Sequence, residues 1–140
     1  MSETKKSVGQ GILPVTDATW QEKVIKDSSI VPILVDFWAE WCGPCKALTP
    51  ILVNVESTMN RTEGKIRIYT INVDQNPVTT GRYGISGIPA LIMFREGEPV
   101  AEMFGLKPMK SIIDWFTEFL EPTGWGDRYD IPPSVTRINS

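Results

Sequence analysis

Residues Ile33 to Trp38 read ILVDFW, apolar throughout except for one carboxylate. Near-continuous hydrophobicity over so short a run predicts a central strand covered on both faces. Asp36 then places a charge where water is scarce. Period two returns at Lys65–Asp74, KIRIYTINVD, with Ile66, Ile68, Thr70 and Asn72 on one side and Arg67, Tyr69, Ile71 and Val73 on the other. Two further strands, ALIMFRE and PVAEMF, are joined by the turn signal EGEP. Helical spacing appears in CGPCKALTPILVNVESTMN, where Leu48, Ile51, Leu52 and Val55 recur at i, i+3, i+4 and i+7 and Pro50 should kink the helix. A last amphipathic helix, Pro108 to Leu120, gathers Ile112, Trp115, Phe116 and Phe119 on one face. Near the N-terminus, Ile12 to Val15 suits a short edge strand. Thr16 and Asp17 can cap a helix carrying Trp20, Val24 and Ile25. The loop QNPVTTGRYGISG has room for one short helix.

The predicted order is β-α-β-α-β-α-β-β-α. Helical crossovers between the early strands imply parallel pairing, and the hairpin adds an antiparallel pair. The expected architecture is an α/β three-layer sandwich with a mixed central sheet. Residues 1–11 read as a flexible arm and 12–120 as the domain. Residues 121–140, rich in Pro, Gly and polar side chains, read as an extension beyond it, of unknown role.

Composition narrows the chemistry. A net charge of -3 offers no basic footprint for nucleic acid and no polybasic patch for a membrane. No apolar run approaches the roughly 18 residues of a membrane span. The polar start MSETKKSVGQG lacks the apolar stretch of a secretory signal, so a cytoplasmic monomer is the default expectation. There is no His, which removes Ser-His-Asp and Cys-His catalysis and His-ligated metals. The two cysteines, Cys42 and Cys45, are too few for a four-ligand zinc site and too close to staple distant segments.

What remains is a pair of thiols that can bond to each other. They sit where the central strand hands over to a helix, so backbone N–H groups and the helix dipole favour a thiolate at Cys42. Pro44 suits the first helical turn, and Gly43 leaves no side chain in the way of a substrate. Two thiols one turn apart suit dithiol exchange: Cys42 attacks a disulfide, and Cys45 resolves the mixed disulfide. A C-x-x-C alone is weak; one that follows a strand, opens a helix and encloses Gly-Pro is far more specific.

The stretch VDFWAEWCGPCK, followed by NVDQNP and YGISGIPALIMFREGE, resembles the thioredoxin family over about Ile12 to Leu120. The resemblance implies the thioredoxin fold and a protein-disulfide reductase that carries electrons in cell redox homeostasis. Its partners would be client proteins with disulfides and an NADPH-dependent thioredoxin reductase, with no cofactor beyond the Cys42–Cys45 disulfide. It further implies a cis-proline at Pro89. The docking surface for clients would comprise Trp41, Gly43, Pro44, Ile88, Pro89, Gly105 and Leu106. Gly-Pro between the cysteines is similar to the reducing branch of the superfamily. A disulfide oxidase or isomerase stays open as an alternative, as does a non-catalytic binding or structural subunit with this fold.

The same resemblance gives Asp36 a role as the proton acceptor for Cys45. The residues alone leave two readings open: a carboxyl buried under the cysteine-bearing helix, with a raised pKa, or a strand-end Asp reaching solvent. One departure stands out. The family commonly carries Lys near this carboxylate, at the position held here by Thr70, and Thr supplies no charge.

Overall fold

The computed structural model describes residues 12–62, 66–119 and 135–137. Its centre is a six-stranded mixed sheet. The strands are β1 (Leu13–Pro14), β2 (Ile33–Trp38), β3 (Arg67–Asn72), β4 (Ala90–Arg95), β5 (Glu98–Phe104) and β6 (Val135–Arg137), in the spatial order β1-β3-β2-β4-β5-β6. β3 pairs parallel with β1 and β2, whereas β2–β4, β4–β5 and β5–β6 are antiparallel. Every residue of β2 but the last is buried. The hairpin between β4 and β5 turns on Glu96 (φ 53°) and Gly97 (φ 78°), the doubly left-handed geometry that matches the twist of paired strands.

Among the described residues four helices cover the sheet: α1 (Gln21–Ile25), α2 (Gly43–Thr62), α3 (Pro77–Arg82) and α4 (Met109–Glu118). Alternation divides the core. Leu34, Ile66, Ile68, Leu91 and Met93 pack with Leu48, Leu52 and Val55 of α2 and with Ile112, Trp115 and Phe116 of α4. Ile33, Val35, Phe37, Tyr69 and Ile71 pack on the other face with Trp20 and Val24. Trp20 anchors that face, its ring 5.3 Å from Phe94 and 5.4 Å from Tyr83. Asp36, two residues from Leu34, therefore shares the face covered by α2.

Three features differ from the sequence reading. Thr16 closes the turn before α1, its hydroxyl accepting the Thr19 N–H at 3.2 Å, and no side-chain hydrogen bond caps the start of α1 itself. Asp17 instead caps α3: its carboxylate accepts the Val78 N–H at 3.1 Å and the Thr79 N–H at 2.8 Å. Next, α1 is a wide turn in which the Lys26 N–H reaches the Gln21 carbonyl, five residues back. Last, Val135–Arg137 adds a strand to β5, so the part of the chain read as lying beyond the domain returns to the sheet as β6.

Candidate active site

β2 ends at Trp38, and a tight turn follows in which the Cys42 N–H meets the Ala39 carbonyl at 3.1 Å. Cys42 then occupies the N-cap of α2. Its carbonyl accepts the Lys46 N–H at 3.2 Å, and its sulfur accepts the Cys45 N–H at 3.2 Å. The sulfur thus takes the place a Ser or Asp oxygen fills at an ordinary N-cap. Helix-end N–H groups and the dipole favour negative charge at that position.

Cys42 and Cys45 are joined by a disulfide, their Cα atoms 5.3 Å apart. Both residues are buried, Cys42 at 5% and Cys45 at 1% exposure, so Cys42 is the more exposed of the two. Ala39 completes their cluster, and Trp38, Val73 and Ile88 pack around it.

Around this pair lies an apolar rim. Trp41 is 70% exposed, with its indole N–H held by Asp74 Oδ2 at 2.9 Å. Pro44 in the first turn of α2 is exposed, and a side chain at Gly43 would project into open space. The Ile88–Pro89 peptide bond is cis. The Pro89 carbonyl accepts the Gly105 N–H at 2.8 Å, and Gly105 has a φ of 89°, a conformation suited to glycine. A shallow groove of about 390 Å³ runs between Ser86–Pro89 and Phe104–Gly105. Leu106 is exposed just beyond it. The sequence reading missed Asp74 and Phe104. Asp74 read as the end of a strand. The exposed face of Phe104 follows only from its place at the tip of β5, after a buried Met103.

Asp36 is 1% exposed, so it does not reach solvent as a strand-end residue would. Burial pushes its carboxyl up to about 7. Among the described residues its Oδ1 has no hydrogen-bond partner. Asp36 also lines a cavity of about 250 Å³ together with Ile12, Trp38, Thr49 and Thr70. Thr70 is its partner in the β2–β3 register. Thr49, one turn beyond Cys45, donates its hydroxyl to the Cys45 carbonyl at 3.4 Å.

No group of three His, Cys, Asp or Glu residues that could hold a metal ion occurs among the described residues. None of the described helices is long and apolar enough to cross a membrane. A reactive disulfide at a strand-to-helix junction, on a mixed sheet with helices on both faces, defines a dithiol–disulfide oxidoreductase.

Comparison with known proteins agrees. The thioredoxin family profile matches residues 11–118. The chain is 40% identical over 104 residues to the thioredoxin of Rickettsia conorii, covering 74% of this chain and 94% of that protein. It is 40% identical over 109 residues to the thioredoxin of Alicyclobacillus acidocaldarius, covering 78% and 98%. A chloroplastic M-type thioredoxin of Brassica napus is 38% identical over 111 residues, covering 79% and 60%. The chain belongs to the thioredoxin family, and its redox-active pair is Cys42 and Cys45.

Proposed function

We propose that the protein reduces disulfides of client proteins, with Cys42 as the attacking thiolate, Cys45 as the resolving thiol and Asp36 as the proton acceptor for Cys45. The observation that carries the assignment is the N-cap position of Cys42, whose sulfur accepts the Cys45 N–H at 3.2 Å. A thiolate there keeps a donor and sits at the very end of the helix, where the dipole acts most strongly. A client disulfide docks on Trp41, Gly43, Pro44, Ile88, Pro89, Gly105 and Leu106, and an extended client segment pairs with the backbone of the half-buried Ile88.

The steps follow. Cys42 attacks one client sulfur, and the client's second sulfur leaves with the electron pair. Cys45 gives its proton to the Asp36 carboxylate and attacks Cys42. The Cys42–client bond breaks, the Cys42–Cys45 disulfide forms, and the client leaves with two reduced sulfurs. A carboxyl brought near neutrality by burial is matched to that transfer. Electrons return from an NADPH-dependent thioredoxin reductase, and a reducing compartment such as the cytoplasm suits the cycle.

The test is reduction of an insulin-type interchain disulfide, coupled to a bacterial thioredoxin reductase and NADPH. Steady NADPH consumption that vanishes in Cys42→Ser is the expected result. Transfer of the Cys42–Cys45 disulfide to reduced clients, with no NADPH-driven reduction, would favour an oxidase instead.

A further inference from the structure

One wall of the docking groove is the end of β5, through Phe104 and Gly105. Strand alternation puts Glu102 on the same face as Phe104, two residues back and roughly 7 Å along the strand. The register agrees: Ala90 lies opposite Phe104 and Ile92 opposite Glu102, and both belong to the core around Trp20. Among the described residues β5 itself gives none to that core. Its margin on this face is therefore open, with Phe104 41% exposed and Glu102 half-buried.

We propose that Glu102 and Phe104 form a specificity subsite for a basic client side chain, arginine before lysine, carried a few residues from the cysteine that Cys42 attacks. The proposal deepens the reductase reading above and rests on it.

Among the described residues neither an ion pair nor a hydrogen bond holds the Glu102 carboxylate. Burial raises its carboxyl above the ordinary value, and no donor or neighbouring charge offsets that. Basic side chains of the flanking elements are engaged elsewhere. Arg82 of α3 lies over the Tyr83 ring, and Arg95 of β4 donates to the Phe119 carbonyl at 3.0 Å. A carboxylate already stripped of part of its water, and lacking a counter-ion, loses little more by pairing and gains a charge-assisted hydrogen bond. An acidic client side chain is repelled there, and a neutral one forgoes the charge.

Phe104 narrows the choice. A guanidinium can lie flat on its ring and still send an N–H fork to a carboxylate at the next position on the same face. An ammonium is a point charge with no plane to stack. The reach is also suitable. Ile88 packs against the cysteines, and Ile92, the register partner of Glu102, lies four residues further along, about 13 Å of extended chain. A client segment paired at Ile88 brings a basic side chain to Glu102 from about two to four positions beyond its cysteine.

The test uses short peptides whose cysteine is disulfide-bonded to a fluorogenic thiol. A single position, about three residues from that cysteine on either side, is Arg, Lys, Gln or Glu. Stopped-flow fluorescence gives the second-order rate constant of the reduced full chain with each. The Arg peptide should react roughly fivefold faster than the Gln peptide, with the Lys peptide between them and the Glu peptide slowest. In Glu102→Gln the ratio of Arg to Gln rates should fall to about one, and in Glu102→Lys it should invert. Phe104→Leu should bring the Arg rate down to the Lys rate. Glu98→Gln makes the same charge change at the other end of β5 and should keep the parent's ratio. Equal rates for all four peptides overturn the subsite and leave the reductase standing. So does a ratio that falls as far in Glu98→Gln as in Glu102→Gln, which would assign the preference to net charge. A reduced chain that cleaves none of the peptides sinks the reductase reading, and the subsite falls with it.

Discussion

Asp36 is the residue that a rule of thumb would forbid in β2, and its cost has a pH signature. The carboxyl is protonated in both folded and unfolded chains well below 3.8. Between 3.8 and about 7 the unfolded chain ionises and the folded one does not. Stability from this group is therefore full at low pH, is lost as pH rises through about 7, and stays lost above it. The span corresponds to about 4 kcal/mol, as an order of magnitude. Asp36→Asn removes that slope, so urea unfolding should show the variant gaining on the wild type between pH 4.5 and 8.5. A stability difference that is the same at both pH values would contradict the burial argument. The sulfurs differ just as sharply. Cys42 caps a helix and is the more exposed, so in the reduced protein it should be the thiol alkylated first near neutral pH. Brief alkylation followed by peptide mass spectrometry reads this directly, and preferential labelling of Cys45 would reverse the assignment. Much of the site was legible at this scale, because its chemistry lies in one contiguous stretch. Thr49 was not, since its part depends on a helix turn facing a strand register 21 residues further along the chain.

At the scale of elements, local periodicity located what local periodicity controls. β2 has the bounds its apolar run predicts, and the two faces of β3 divide between the two cores as its alternation requires. Contacts between distant segments left no local trace. Asp17 was read as a cap for the helix that follows it, yet it caps α3, whose N–H groups lie 61 and 62 residues away. Burial raises the Asp17 carboxyl, but hydrogen bonds from Thr79 and Val78 and the charge of Arg82 bring it below its ordinary value overall. Its contribution is therefore present above the usual carboxylate range and lost as pH falls through it. Asp17→Ala should cost about 1 kcal/mol, as loss of an N-cap does. Amide exchange should rise at Val78 and Thr79 in particular. Unchanged exchange there, whatever the melting temperature, would show that the cap does not hold α3.

At the scale of the whole molecule, the extension after α4 is where the sequence said least. Its composition marks it as outside the core, and three residues in an otherwise turn-rich stretch carry no periodicity of their own. What recruits Val135–Arg137 is the open edge of β5, a tertiary feature. Removing residues 121–140 should leave disulfide reduction nearly intact, since the strands and helix that carry the cysteines do not involve β6. It should also raise amide exchange along Ala101–Met103, the partners of β6. Unchanged exchange there would mean that β6 protects nothing. The whole account turns on one order of events, first Cys42 and then Cys45. The most direct test mixes Cys45→Ser and Cys42→Ser, each reduced, with a disulfide-bonded client and reads intact mass without reductant. Cys45→Ser should accumulate a one-to-one covalent adduct that reductant releases, and Cys42→Ser should not. Equal trapping by both variants, or trapping by Cys42→Ser alone, would contradict it.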